Sequence, residues 1–129
     1  MIKYPSLDEV VAIHFRVTEK TGGSQGVRDW DLLSSALGRP QATFGGDDLY
    51  PNIFLKGAAL VQSISSNHPF ADGNKRTALA TLEYFLYLNG IEIEATQREK
   101  VDFTLWAENE KPKLEEIASW IKKHAINIS

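Results

Sequence analysis

Apolar residues recur at helical spacing along almost the whole chain. Ser6 with Glu9 three residues on forms a capping-box pair, and Leu7, Val10, Val11, His14, Phe15 and Thr18 follow on one face until Gly22 and Gly23. Three glycines make 21–27 a loop. Asp29 then caps a short helix carrying Trp30, Leu33, Ala36 and Leu37, closed by Gly38 with Pro40 beyond it. Between 39 and 51 the period is lost. Gly45-Gly46-Asp47-Asp48 marks a turn, compatible with a small hairpin between 42–44 and 49–50. Pro51 is placed to open the next helix, which is apolar around much of its circumference from Ile53 to Ile64 and is therefore the expected centre of the fold. A loop at 67–73 leads into a second largely apolar helix over 74–88, ended by Asn89-Gly90. Ile91-Glu92-Ile93-Glu94 alternates like a strand, but so short a segment without a visible partner predicts no sheet. Thr96 and Glu99 cap another helix bearing Val101, Leu105 and Trp106. A last helix over 113–125 sets Leu114, Ile117, Ala118 and Ile121 in one stripe. The expectation is an all-α single domain over 1–129, with about six helices around one buried pair.

Composition narrows the function classes. A chain of 129 residues is long enough for one core and too short for two. With no cysteine, disulfide frameworks, thiolate metal sites and cysteine nucleophiles are excluded. A net charge of -3 offers no global basic field for a nucleic-acid backbone, so no direct nucleic-acid partner is expected. No stretch approaches the ~18 apolar residues that span a membrane, and the start lacks a signal-peptide pattern. Neither membrane association nor export is expected, and a cytoplasmic location is.

The chemistry concentrates in His68-Pro69-Phe70-Ala71-Asp72-Gly73-Asn74-Lys75-Arg76, between the two most apolar helices. A helix N-terminus carries partial positive charge and attracts acidic residues. This one opens with Lys75 and Arg76 instead, an arrangement that makes sense if an anion sits there. Gly73 lets an anion approach the backbone, and Asn74 is placed to cap the helix while reaching a ligand oxygen. With the free amides they form a phosphate cradle. Asp72 is a hard oxygen ligand suited to Mg²⁺ in company with phosphates. His68 is the natural general base for an attacking hydroxyl. Pro69 and Phe70 would position the loop by packing inward. Together these residues supply the parts for phosphoryl or nucleotidyl transfer. Taken alone, each has a plainer role: a turn aspartate, a capping asparagine, a solvated basic pair. His14 is expected to be packed and hydrogen-bonded, His124 to complement a helix dipole, and Trp30, Trp106 and Trp120 to line the core or a groove.

His68–Arg76 resembles the signature of the Fic/Doc family, His-x-Phe-x-(Asp/Glu)-Gly-Asn followed by glycine or lysine and arginine. The likeness extends to 38–46, Leu49-Tyr50-Pro51, Thr77-Ala78-Leu79 and Asn89-Gly90. The resemblance implies a helical fold with a hairpin flap before the central helix, and a motif loop that binds a nucleotide and Mg²⁺. His68 is then the base, Asp72 the metal ligand, Gly73, Asn74, Lys75 and Arg76 the phosphate clamp, and ATP the co-substrate. Fic enzymes, which move AMP onto hydroxyls, mostly carry glycine where this chain has Lys75 and a second arginine where it has Leu79. Doc-like (death-on-curing) toxins share both changes, and in them the γ-phosphate faces the incoming hydroxyl. Gly73 is the Fic-like residue. The expectation is a Doc-like phosphotransferase acting on a protein hydroxyl, with elongation factor Tu as the family's target, in a toxin–antitoxin pair that stops translation. The alternatives are a Fic-type protein adenylyltransferase and a non-catalytic nucleotide-binding module. Some relatives are silenced by a helix spelling Ser/Thr-x-x-x-Glu-Gly/Asn, which 104–109 fits. The arginine it should engage is replaced by Leu79. Glu108 is therefore read as a helix-end residue, and restraint is expected from a separate Phd-type antitoxin whose disordered tail folds into a groove.

Overall fold

The computed structural model describes residues 1–128. Six helices form: α1 (Leu7–Thr21), α2 (Trp30–Gly38), α3 (Ile53–Asn67), α4 (Asn74–Leu88), α5 (Gln97–Asn109) and α6 (Leu114–His124). The all-α expectation holds, with two small antiparallel ribbons added. One is a hairpin of β1 (Thr43–Phe44) and β2 (Asp47–Asp48); the other pairs β3 (Ile91–Ile93) with β4 (Ala125–Asn127).

Helix starts follow local chemistry. Reciprocal capping boxes form at Ser6/Glu9 and Thr96/Glu99, and the Asp29 side chain accepts from Leu32 N. Gly22 ends α1 in the left-handed region, as Gly90 does just beyond α4. Pro51 does not open α3, however. Asn52 is the cap, its side chain accepting from the backbone of Phe54 and Leu55, so the proline lies one residue outside. Gly38 likewise ends α2 without a left-handed turn, because the chain continues into a single 3-10 turn at Arg39–Gln41. In the hairpin, Gly45 and Gly46 both take positive φ, the two-residue turn whose twist suits paired strands. That turn draws Asp47 and Asp48 into the second strand, two residues ahead of the expected 49–50.

The strand-like alternation at 91–94 does find a partner. β3 pairs with β4 immediately after α6, with Glu92 opposite Ile126. The partner lies far along the chain, so local periodicity carried no sign of it, and the last helix ends at His124 as a consequence.

The core forms where α3 crosses α4 and α6. Ala58, Leu60, Val61 and Ile64 of α3 meet Leu82, Phe85 and Leu86 of α4 and Ile117 and Ile121 of α6, all buried. Gly57 permits this approach: a β-carbon there would lie 2.8 Å from Leu82 Cδ1. Trp106 and Trp120 pack against this core, and Trp120 stacks on Phe103 at 4.0 Å. Trp30 does not join them. It is 55% exposed at the start of α2. His124 bonds back to Trp120 O at 2.8 Å and stacks on that indole. Among the described residues, no helix is long and apolar enough to cross a membrane.

Candidate active site

α3 ends and α4 begins around the same short loop, so the carboxyl end of the most buried helix and the amino end of its partner face one cavity of about 380 Å³. His68, Asp72, Gly73, Asn74, Lys75 and Arg76 all line it, together with Gly23 and Glu108. The structure brings together the residues singled out from sequence.

His68 closes α3 in the left-handed region, at φ 49° and ψ 59°. A residue with a β-carbon reaches that conformation at a cost, and its imidazole is thereby turned out of the helix into an exposed position. Arg28 holds it there. Its Nε donates to His68 O at 2.8 Å and its Nη2 to Asn67 O at 2.9 Å, placing a cation on the carbonyl end of α3. The backbone of 26–29 adds a strap: Arg28 N and Asp29 N donate to Pro69 O, Ala71 N donates to Gly26 O, and Val27 bridges to Phe70.

Phe70 anchors the loop from below. It is 1% exposed and lies flat against His14, with ring centres 3.9 Å apart. His14 is packed and hydrogen-bonded as expected, and its partner belongs to the motif: Nε2 donates to Asp72 O at 2.8 Å. Asn74 differs from expectation. It is the first residue of α4, not its cap, and its side chain accepts from Phe70 N and donates to Phe70 O, both at 3.0 Å. Its side chain therefore holds the loop, and only its backbone amide remains in the phosphate cradle.

Gly73 takes the cap position at φ 75° and ψ 21°, with no side chain covering the helix end. α1, α2, α5 and α6 carry acidic residues in their first turns; α3 and α4 carry none, and α4 holds Lys75 and Arg76 instead. Uncapped amides and two cations thus converge on one spot, where an anion is stabilised by dipole and charge together. Among the described residues Arg76 has no acidic partner within salt-bridge distance. Lys75 has one, Glu108 at 3.6 Å. Glu108 lies in the last turn of α5, as read from sequence, but its carboxylate also reaches the cavity wall. Sequence spacing placed it on the helix; nothing local placed it against Lys75.

Asp72 points its carboxylate at the cavity rim. Oδ1 accepts from Gly73 N at 2.8 Å and Oδ2 from Ser24 N at 3.3 Å, and among the described residues neither oxygen has a cation within salt-bridge distance. Gly23 is what allows this. A β-carbon there would stand 2.9 Å from Oδ2. The described residues hold no cluster of three or more acidic, histidine or cysteine ligands. A divalent ion here would have one carboxylate and otherwise ligand or water oxygens, which is how Mg²⁺ is usually held beside phosphates. The donor set fits.

The hairpin stands exposed on both strands, and its segment is tied to α3 from inside. Lys56 of α3 is 1% exposed, and its Nζ donates to Pro40 O at 3.1 Å and to Asp48 Oδ2 at 3.4 Å. Arg39 adds bonds to Tyr50 OH, Ser63 Oγ and Ala59 O. A buried lysine inside an otherwise apolar helix was not anticipated; its partners lie on the irregular 39–51 segment.

Helical architecture, motif loop and flap together define one class of protein. The model of the Fic/DOC family matches residues 4–86, and the chain belongs to that family. Among its relatives, Toxin Doc of Mycolicibacterium smegmatis is 51% identical over 74 residues, a match spanning 57% of each chain. Protein kinase doc of Escherichia phage P1 is 26% identical over 122 residues, 95% of each chain. Both relatives lie on the Doc-like side of the family.

Proposed function

We propose that this chain is a Doc-like phosphotransferase that moves the γ-phosphate of ATP to a protein hydroxyl. The observation that carries the reading is the meeting of two helix ends: a base turned outward at the end of α3, and an uncapped, cationic start of α4 across the same cavity. A triphosphate lying over Gly73, Lys75 and Arg76 would present its terminal phosphorus to His68. The imidazole takes the proton of the incoming hydroxyl, whose oxygen forms the new bond to phosphorus. The bond from that phosphorus to the bridging oxygen breaks, and ADP leaves with the electron pair. The α4 amides and Arg76 neutralise charge that grows in the transition state. Asp72 would hold Mg²⁺, which when bound neutralises and orients phosphate oxygens.

Lys75 and Leu79 favour γ-phosphate transfer. Past Arg76 the α4 surface turns apolar at Leu79, which suits a nucleoside better than a terminal phosphate. A second reading, transfer of AMP, is favoured by Gly73, whose left-handed conformation opens the backbone as in Fic enzymes. By resemblance the acceptor is elongation factor Tu, held along the exposed edges of β1 and β2 through backbone pairing. The biological setting is a toxin–antitoxin pair acting in the cytoplasm, with a Phd-type antitoxin as partner. The name Toxin Doc, carried by one relative, supports that setting.

Incubation with elongation factor Tu and ATP labelled at the α or the γ position tests the reaction. γ-label on the acceptor is expected, and His68→Ala should reduce it by about 10²–10⁴-fold while the fold persists. α-label would identify the adenylyltransferase, and no transfer to any acceptor would leave a binding module.

A further inference from the structure

Among the described residues Lys56 is the one lysine, arginine, aspartate or glutamate that is buried. Taking an ammonium group out of water is costly, and an apolar side chain of similar length would serve the packing of α3 equally well. Both acceptors of its Nζ lie on the segment that carries the hairpin: Pro40 O ahead of β1, at 3.1 Å, and Asp48 Oδ2 within β2, at 3.4 Å. One amine thus joins the two sides of the hairpin to the central helix. Leu49 N, donating to Ala42 O at 2.9 Å, closes the base between them. Side chains alternate between the faces of a strand, and directly opposed residues share a face. Thr43 is opposite Asp48, and Phe44 is opposite Asp47. Drawing Asp48 toward Lys56 therefore sends Phe44 and Asp47 to the other face, where Phe44 is 83% exposed and takes no part in the core. An aromatic ring held out in water on a strand is the kind of anchor that a bound polypeptide covers.

We infer that Lys56 is a positioning residue for the acceptor protein: its buried ammonium, by holding Pro40 O and Asp48 Oδ2 together, fixes which face and edge the hairpin presents to that protein. The inference rests on the reading of the hairpin as the acceptor's docking strand. It accounts for a charge that packing of the core would not select. Without the clip the hairpin samples other orientations, and the acceptor binds only the fraction that is correctly placed. Residues 39–51 do not line the candidate active-site cavity, so nucleotide binding is indifferent to the clip.

Lys56→Met keeps the length of the side chain and removes its charge. In γ-label transfer from ATP to elongation factor Tu it should raise the KM for the acceptor about tenfold, the effect of leaving about one hairpin in ten competent, with kcat and the affinity for ATP within about twofold of the intact protein. The midpoint of urea denaturation should stay or rise, and hydrogen exchange at the Leu49 amide should quicken at least about fivefold. Asp48→Ala, at a half-exposed position, should raise the acceptor KM about threefold or more and add nothing to Lys56→Met in the double variant. An acceptor KM unchanged in both variants overturns the positioning role. So does a Lys56→Met protein that loses stability and shifts kcat and KM together, which would make Lys56 a residue of the fold alone. Faster exchange at Leu49 with an unchanged KM overturns it as well, by removing the hairpin from acceptor binding. If the intact protein transfers no label to the acceptor, the phosphotransfer reading itself falls and the inference with it.

Discussion

At the scale of single residues, the site depends on one unfavourable backbone conformation and the groups that hold it. His68 sits in the left-handed region at a cost of about 1–2 kcal/mol. Arg28 offsets that cost by bonding both carbonyls at the end of α3. Arg28→Ala should therefore lower the transfer rate by up to about 10²-fold, through misplacement of the base, with little change in nucleotide affinity. Arg28→Lys should restore part of the rate, and steady-state kinetics on the two variants will show whether kcat moves and KM stays. A separate dependence runs through Gly23. Its missing β-carbon gives Asp72 room, so Gly23→Ala should push the carboxylate aside and weaken Mg²⁺-dependent nucleotide binding by about 10–100-fold. Titration with magnesium at fixed ATP measures this, and the binding of ATP without metal should hardly change. Neither Arg28 nor Gly23 stood out in the sequence. An arginine in a glycine-rich loop reads as a solvated loop residue until its acceptors, some forty residues on, are placed beside it.

At the scale of elements, what could be read early was what the chain decides locally. Capping boxes at Ser6 and Thr96, the Asp29 cap and the apolar circumference of α3 depend on neighbours within one or two turns, and each formed as expected. The motif loop was legible for the same reason, since its residues are contiguous. The pairing of β3 with β4, the burial of Lys56 and the contact between Glu108 and Lys75 join segments that no local pattern connects. Asn74 shows the limit at a single helix end. Both capping the helix and bracing the loop suit its chemistry, and the left-handed Gly73 decides for bracing. α4 also carries a feature that packing alone would not select. The hydroxyls of Thr77 and Thr81 are buried without a hydrogen-bond partner. Replacing Thr81 by valine keeps the shape and removes the unpaired group, so Thr81→Val should leave the denaturation midpoint unchanged or raise stability by about 1 kcal/mol. A loss of stability in urea titration would mean that the hydroxyl has a partner after all.

At the scale of the whole molecule, an acidic chain of net charge -3 keeps a cationic pair where its two central helices meet. The acidic groups elsewhere are partly committed to helix starts. Glu9 is held below the usual carboxylate range first by the Tyr84 hydroxyl and then by the Ser6 backbone, and Glu99 by the backbone and side chain of Thr96. A carboxylate whose pKa is depressed on folding stabilises the protein above its unfolded pKa, and that contribution is lost as pH falls through the folded value. Stability should therefore fall on acidification from about pH 4.5 downward. Glu9→Gln combined with Glu99→Gln should flatten that decline in thermal melts across the same range. The central claim is that the cations at the start of α4 exist to meet phosphate, and a crystal structure with Mg²⁺ and a non-hydrolysable ATP analogue tests it most directly. The account predicts phosphate oxygens within hydrogen-bond distance of the first amides of α4 and of Arg76, a metal on Asp72, and the terminal phosphorus facing His68. Nucleotide bound elsewhere, or an empty cavity with Lys75 and Arg76 turned to bulk water, would contradict it.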